Sequence, residues 1–160
     1  MSKPILIFFS KEGCSACEKF SIEWGKLIKQ TSFKLPNGSI MDGIKDKVKF
    51  VRFRCDQKHK VPPWFEKYVT GYPTIILANP ESYNNYYNSN GSYSSSCHLD
   101  GLVQGIVFNY IIVKGEYQYL GIPHTAENIC DWVNNKYIDV LNGVDDENYT
   151  DYKIDTSFYA

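Results

Sequence analysis

Cys14 and Cys17 stand two residues apart, directly after the apolar run of residues 4–9 and directly before a stretch with helical spacing. That arrangement constrains the chain more than any other feature. An apolar run of this length reads as a buried strand, and it delivers the first thiol to a sheet edge. The helix that follows turns its unpaired backbone N–H groups and positive dipole end toward that sulfur, so the thiolate is favoured there. The thiolate is the form that attacks a disulfide, and a second cysteine one turn on can release the mixed disulfide that results. In the helix, Cys17, Phe20, Trp24, Leu27 and Ile28 fall on one face. Cys14 is thus expected to be exposed and Cys17 shielded, the attacking and resolving thiols respectively. A pair with this spacing is also half of a zinc site, but Cys55, Cys97 and Cys130 supply no second pair.

The rest of the sequence limits the alternatives. At 160 residues the chain can bury a core without disulfides or metal, and no metal or organic cofactor is called for. Its 17 basic and 18 acidic residues give a net charge of -1 and no footprint for nucleic acid or an anionic membrane. The longest apolar stretches, residues 5–9 and 74–78, are too short to span a bilayer. No small-residue cleavage site follows the first of them, so the reading is a cytoplasmic protein with an intracellular redox pair and not a disulfide framework. Lysine outnumbers arginine 15 to 2, and Asn, Ile and Tyr are abundant. That skew resembles an AT-rich genome, such as that of a parasite or a large DNA virus; a viral source would place the chain in virion or host cytoplasm. The sequons at Asn37, Asn90 and Asn148 carry little weight without a secretory signal.

Beyond the first helix, a polar connection with Pro36-Asn37-Gly38 leads to a strand over 48–55, in which Val48, Phe50 and Arg52 face one way and Val51, Phe53 and Cys55 the other. Pro62 and Pro63 suit the start of a short helix over 64–69, ended by Gly71. A proline at 73 precedes a β-branched strand from Thr74. Residues 80–101 turn polar and Tyr/Asn/Ser-rich, the composition of a mobile loop, a self-associating segment or a partner-docking insertion. A hairpin is expected from a strand over 107–113, a turn at Lys114-Gly115 and a strand over 117–120. Ala126, Ile129, Cys130, Val133 and Tyr137 then mark a last amphipathic helix ending near Asn142-Gly143. The order is β-α-β-α-β-β-α, an α/β fold with a central mixed sheet and helices on both faces. The domain covers 1–143 with an insertion at about 80–106, and an acidic tail covers 144–160.

Three matches make the chain similar to the thioredoxin family: Gly13-Cys14-Ser15-Ala16-Cys17 after the first strand, Gly71-Tyr72-Pro73-Thr74, and Tyr119-Leu120-Gly121 leading to Thr125-Ala126-Glu127. The second is close to the Gly-Tyr-Pro-Thr of protein disulfide isomerase domains. The resemblance covers residues 3–79 and 107–140. It implies a thioredoxin-like fold and a thiol-disulfide oxidoreductase acting on protein disulfides or dithiols with a separate redox partner. It implies Cys14 as nucleophile and Cys17 as resolving thiol. Pro73 would be cis, with the Tyr72 backbone, Gly13 and Gly121 bordering bound substrate. The chain departs from the family where Gly13 replaces the usual tryptophan and where Phe8 replaces the buried carboxylate six residues before the first cysteine. Those departures keep a rival open, a thioredoxin-fold binding or structural module with an idle cysteine pair. A glutathione-dependent reading lacks its paired glycines after Tyr119. Cys55 and Cys130 read as buried structural thiols, Cys97-His98 as a solvated loop pair, and His59 and His124 as surface residues, His124 being the better functional candidate.

Overall fold

A computed structural model describes residues 2–55, 71–88 and 103–144. The first strand, β1 (Ile5–Lys11), is buried along all but its last residue. Its alternation divides the core in two: Leu6 and Phe8 enter one apolar cluster, and Ile5, Ile7 and Phe9 enter the other. β1 pairs in parallel with β4 (Lys49–Cys55) and antiparallel with β5 (Thr74–Ala78), which pairs antiparallel with β6 (Gly105–Val107). The result is a four-stranded mixed sheet in the order β4-β1-β5-β6. A parallel β1/β4 pair demands a crossover, and α1 (Ser15–Lys29) lies within it.

One face of the sheet is covered by α1 and by the last helix, α3 (Ala126–Leu141). Cys17, Phe20, Trp24 and Leu27 of α1 and Ala126, Ile129, Cys130, Trp132 and Val133 of α3 join Leu6, Phe8, Ile75 and Leu77 in one cluster. Ile28, expected on the buried face, is 41% exposed. The two helices are joined by a hydrogen bond from the Ala126 N–H to Glu23 Oε1 at 3.1 Å, which satisfies one of the free donors at the start of α3. Thr125 caps the same end through the Asn128 N–H at 3.2 Å.

The other face carries α2 (Pro80–Asn88), where the composition had suggested a loop. Tyr83, Tyr86 and Tyr87 sit at helical spacing and pack into the second cluster, Tyr87 6.2 Å from Phe53 between ring centroids. Asn79 starts the helix by accepting the Ser82 N–H at 2.8 Å. Tyrosine counts as polar in a compositional reading, yet each ring brings a large apolar area, and three on one stripe hold a helix against the sheet.

Two further corrections concern strands. The connection after α1 contains a hairpin of β2 (Ser32–Lys34) and β3 (Ile40–Asp42), anchored by buried Phe33 and turning at Gly38, whose φ is +87°. The strand expected over 107–113 is broken at Asn109, with φ of +76°. Asn109 leaves the ladder because its buried side chain accepts the Ile122 N–H at 2.6 Å and donates to the Ile122 carbonyl at 2.7 Å. β6 therefore stays in the central sheet, while β7 (Tyr110–Val113) and β8 (Glu116–Tyr119) form a separate ribbon turning at Lys114-Gly115. The expected helix over 64–69, His59, Cys97, His98, Asn90, Asn148, residues 89–102 of the insertion and 145–160 of the tail lie outside the described residues.

Candidate functional site: a disulfide at a helix N-terminus

Cys14 is the N-cap of α1, with extended backbone, and its Sγ accepts the Cys17 backbone N–H at 3.1 Å. The sulfur thus occupies the place an oxygen takes at an ordinary helix start, facing the orphan donors of the first turn. Gly13 makes that entry with φ of +77°, a conformation glycine adopts without a Cβ penalty, and the Cys14 N–H donates to the Lys11 carbonyl at 3.2 Å. The Cys14 and Cys17 sulfurs are at disulfide distance, their Cα atoms 5.2 Å apart. Cys14 is half-exposed and Cys17 is 2% exposed, in contact with the apolar cluster beneath α1. One sulfur faces solvent and the other faces the core.

Phe8 lies fully buried under this site. Its ring meets Phe20 edge-on at 4.8 Å and Trp24 at 5.4 Å, and the Arg52 guanidinium stands over it at 4.7 Å. The space beneath the cysteines is therefore filled by aromatic packing and one cation, with no carboxylate of β1 in it.

Two cavities flank the pair. One, of about 340 Å³, is lined by Ser10, Lys11, Glu12, Gly13, Cys14, Cys17, Glu18, Arg52, Arg54 and Cys55. The other, of about 370 Å³, is bounded by Ala16, Gly71, Tyr72, Pro73, Tyr110, Tyr119 and His124. The Tyr72–Pro73 bond is cis. Burial, followed by a side-chain hydrogen bond with Cys55, pushes the Tyr72 hydroxyl up to about 12, so it stays protonated at neutral pH and ties the 71–73 turn to the end of β4. Thr74 Oγ1 donates to the Gly71 carbonyl, and the Lys11 ammonium sits 5.9 Å above the Tyr72 ring.

Cys14, Cys17 and Gly13 line the first cavity and Tyr72 and Pro73 the second, so the expected site residues converge on one end of the sheet. Gly121 has φ of +74° and is exposed, but it lines neither cavity. His124 is half-buried, its ring edge-on to Phe20 and Phe108, and burial lowers its pKa so that the neutral ring is favoured. It is a wall of the second cavity where a surface residue had been expected. Cys130 is buried, donates to the Asp42 carbonyl at 3.3 Å, and is pushed up to about 12 by burial, which makes it unreactive. Cys55 is buried as expected, and it also lines the first cavity.

The sequence reading did not single out Arg54, Ser10, Tyr110 or Tyr119 as site residues. Arg52 and Arg54 come to the cysteines through the parallel register, which sets Phe8 beside Arg52 and Ser10 beside Arg54. The available signal was their spacing: alternate residues at the C-terminal end of a strand, on the Phe50 face. Among the described residues no three His, Cys, Asp or Glu side chains form a group suited to a metal ion, and no helix is long and apolar enough to cross a membrane. In comparisons with family models and with curated proteins, none matches the chain.

Proposed function

We propose that the chain is a thiol-disulfide oxidoreductase of thioredoxin type, acting on disulfides of polypeptides. The observation that carries this reading is the position of Cys14, half-exposed at the N-cap of α1 with its sulfur on a backbone N–H, one turn from a buried partner sulfur at disulfide distance. In the reduced protein the Cys14 thiolate attacks one sulfur of a substrate disulfide. A Cys14–substrate bond forms, the substrate bond breaks, and its second sulfur leaves as a thiolate that takes a proton from solvent. The Cys17 thiol gives up its proton and attacks Cys14 Sγ, closing the internal disulfide and releasing the other substrate sulfur. The substrate gains two electrons and the dithiol loses two; an external dithiol returns the protein to its starting state. With Phe8 in place of a carboxylate, the proton of Cys17 passes to water or to Glu12 or Glu18, both of which line the cavity.

The second cavity supports the same reading. Tyr72 and Pro73 border it next to Ala16 of α1, so an extended polypeptide lying there would bring its sulfur to Cys14. Such chemistry suits the cytoplasm, where dithiols are kept reduced. The test is reduction of insulin by dithiothreitol, followed by turbidity, with wild type, Cys14→Ser and Cys17→Ser. The wild type is expected to accelerate precipitation and Cys14→Ser to give the uncatalysed rate; equal rates for all three would refute the proposal.

A further inference from the structure

The chain has two arginines, and both line the cavity beside the cysteines. Arg52 and Arg54 are alternate residues of β4 and so project from the same face. Arg52 is half-buried, fixed by the Phe8 ring and by a hydrogen bond from Nε to Ser10 Oγ at 3.4 Å. Burial lowers its pKa first, and the neighbouring charge of Arg54 lowers it further. Neither guanidinium is in an ion pair with a described residue, although the chain has 18 acidic side chains; the ion pair of the described residues is Lys26 with Glu23. The cavity's other charged groups are Lys11, Glu12 and Glu18, all exposed. Two like charges on one strand face, neither ion-paired with a described residue and one of them partly out of water, are costly, and a carboxylate placed between them offsets that cost with charge-assisted hydrogen bonds. Guanidinium is the group best shaped to receive a carboxylate in this way.

We propose that the Arg52–Arg54 cavity is a carboxylate-binding subsite, which selects polypeptides carrying an acidic residue close to the disulfide that Cys14 attacks. This rests on the oxidoreductase reading for its purpose, though the binding can be measured apart from it. Because the chain has two arginines, the side-chain Nε–H region of its nitrogen NMR spectrum holds two signals, both from this cavity. Arg54→Lys removes one and so assigns both. The oxidised wild type is titrated with a cysteine-free acidic hexapeptide, its lysine counterpart, and S-methylglutathione as a small-molecule carboxylate.

Saturable shifts of both signals with the acidic hexapeptide, and none with the lysine peptide, are expected. Failure of the acidic hexapeptide to shift them at millimolar concentration overturns the subsite. Shifts with S-methylglutathione alone overturn the assignment to polypeptides. In parallel, the reduced protein is given disulfide peptides flanked by Glu or by Lys. The Glu peptide is expected to react about three- to fivefold faster, as for one partly screened ion pair, with the ratio near one in Arg54→Gln. Absence of exchange with either peptide refutes the oxidoreductase reading and leaves the titration to decide the subsite. Exchange at equal rates, with no shifts, refutes the subsite alone.

Discussion

Replacing Phe8 is the sharpest probe of how the site is supported. The ring is fully buried, meets Phe20 and Trp24 edge-on and carries the Arg52 guanidinium on its face. Truncating a buried phenylalanine to alanine costs about 3–5 kcal/mol, a large share of the roughly 5–15 kcal/mol that holds a domain together. The ring-specific part follows from its partners: about 0.5–1.5 kcal/mol for each aromatic edge, and about 0.5–1 kcal/mol for a half-exposed cation–π contact. Phe8→Leu, which keeps apolar bulk but loses the ring, should therefore cost about 1.5–4 kcal/mol. Phe8→Asp should cost more than Phe8→Ala, because its carboxylate loses hydration among Phe20, Trp24 and Cys17 with Arg52 as its nearest compensation. The assay is urea unfolding in reducing buffer, followed by both tryptophan fluorescence and circular dichroism so that coincident transitions license the free energies. A double-mutant cycle of Phe8→Leu with Arg52→Gln isolates the cation contact, expected at about 0.5–1 kcal/mol. A Phe8→Ala cost below about 1 kcal/mol, or a cycle that closes at zero, would refute the packing described.

Asn109 offers a second test: Asn109→Ala removes both hydrogen bonds to Ile122 and puts a Cβ-bearing residue without a local partner at φ of +76°. The expected loss is about 2–4 kcal/mol of unfolding free energy, and a loss under about 0.5 kcal/mol would show that the β6–β7 break does not depend on this side chain. Asp131 gives a pH signature. Burial raises its carboxyl to about 6 from an ordinary 3.8, so below pH 3.8 the folded and unfolded states are both protonated at this group. Between 3.8 and about 6 the folded state alone keeps the proton, and stability falls as pH rises through that window. Asp131→Asn should flatten this part of the stability profile in thermal melts, and an unchanged slope would contradict the assignment.

The first strand and helix could be read from the chain because local rules govern both: an apolar run, a cysteine at the cap position, and one apolar stripe from Cys17 to Leu27. The two faces of β4 were equally plain from alternation. What escaped depends on distant partners. Asn109 breaks a sequence-continuous strand because of Ile122, 13 residues on. α2 hid because its stripe is made of tyrosines, whose rings are buried only where the second face of the sheet receives them. β2 and β3, three residues each, carry too few alternations to give a strand pattern. In the site, Cys14 and Cys17 were legible as neighbours in sequence. Arg52 and Arg54 were not, since only the parallel pairing of β1 with β4 brings residues some forty positions apart to one wall. His124 looked like a surface group because nothing local announces that Phe20 and Phe108 enclose it.

The central claim is that Cys14 is the attacking thiol and Cys17 the one that completes exchange. Mass spectrometry of trapped adducts tests it most directly. Reduced Cys17→Ser and Cys14→Ser proteins are mixed with a peptide disulfide, quenched with acid and digested, so that each thiol is located. The account predicts a persistent adduct of one peptide half on Cys14 in Cys17→Ser, and no comparable adduct on Cys17 in Cys14→Ser, where the remaining sulfur is buried. Equal labelling of the two variants, or none in either, would contradict it.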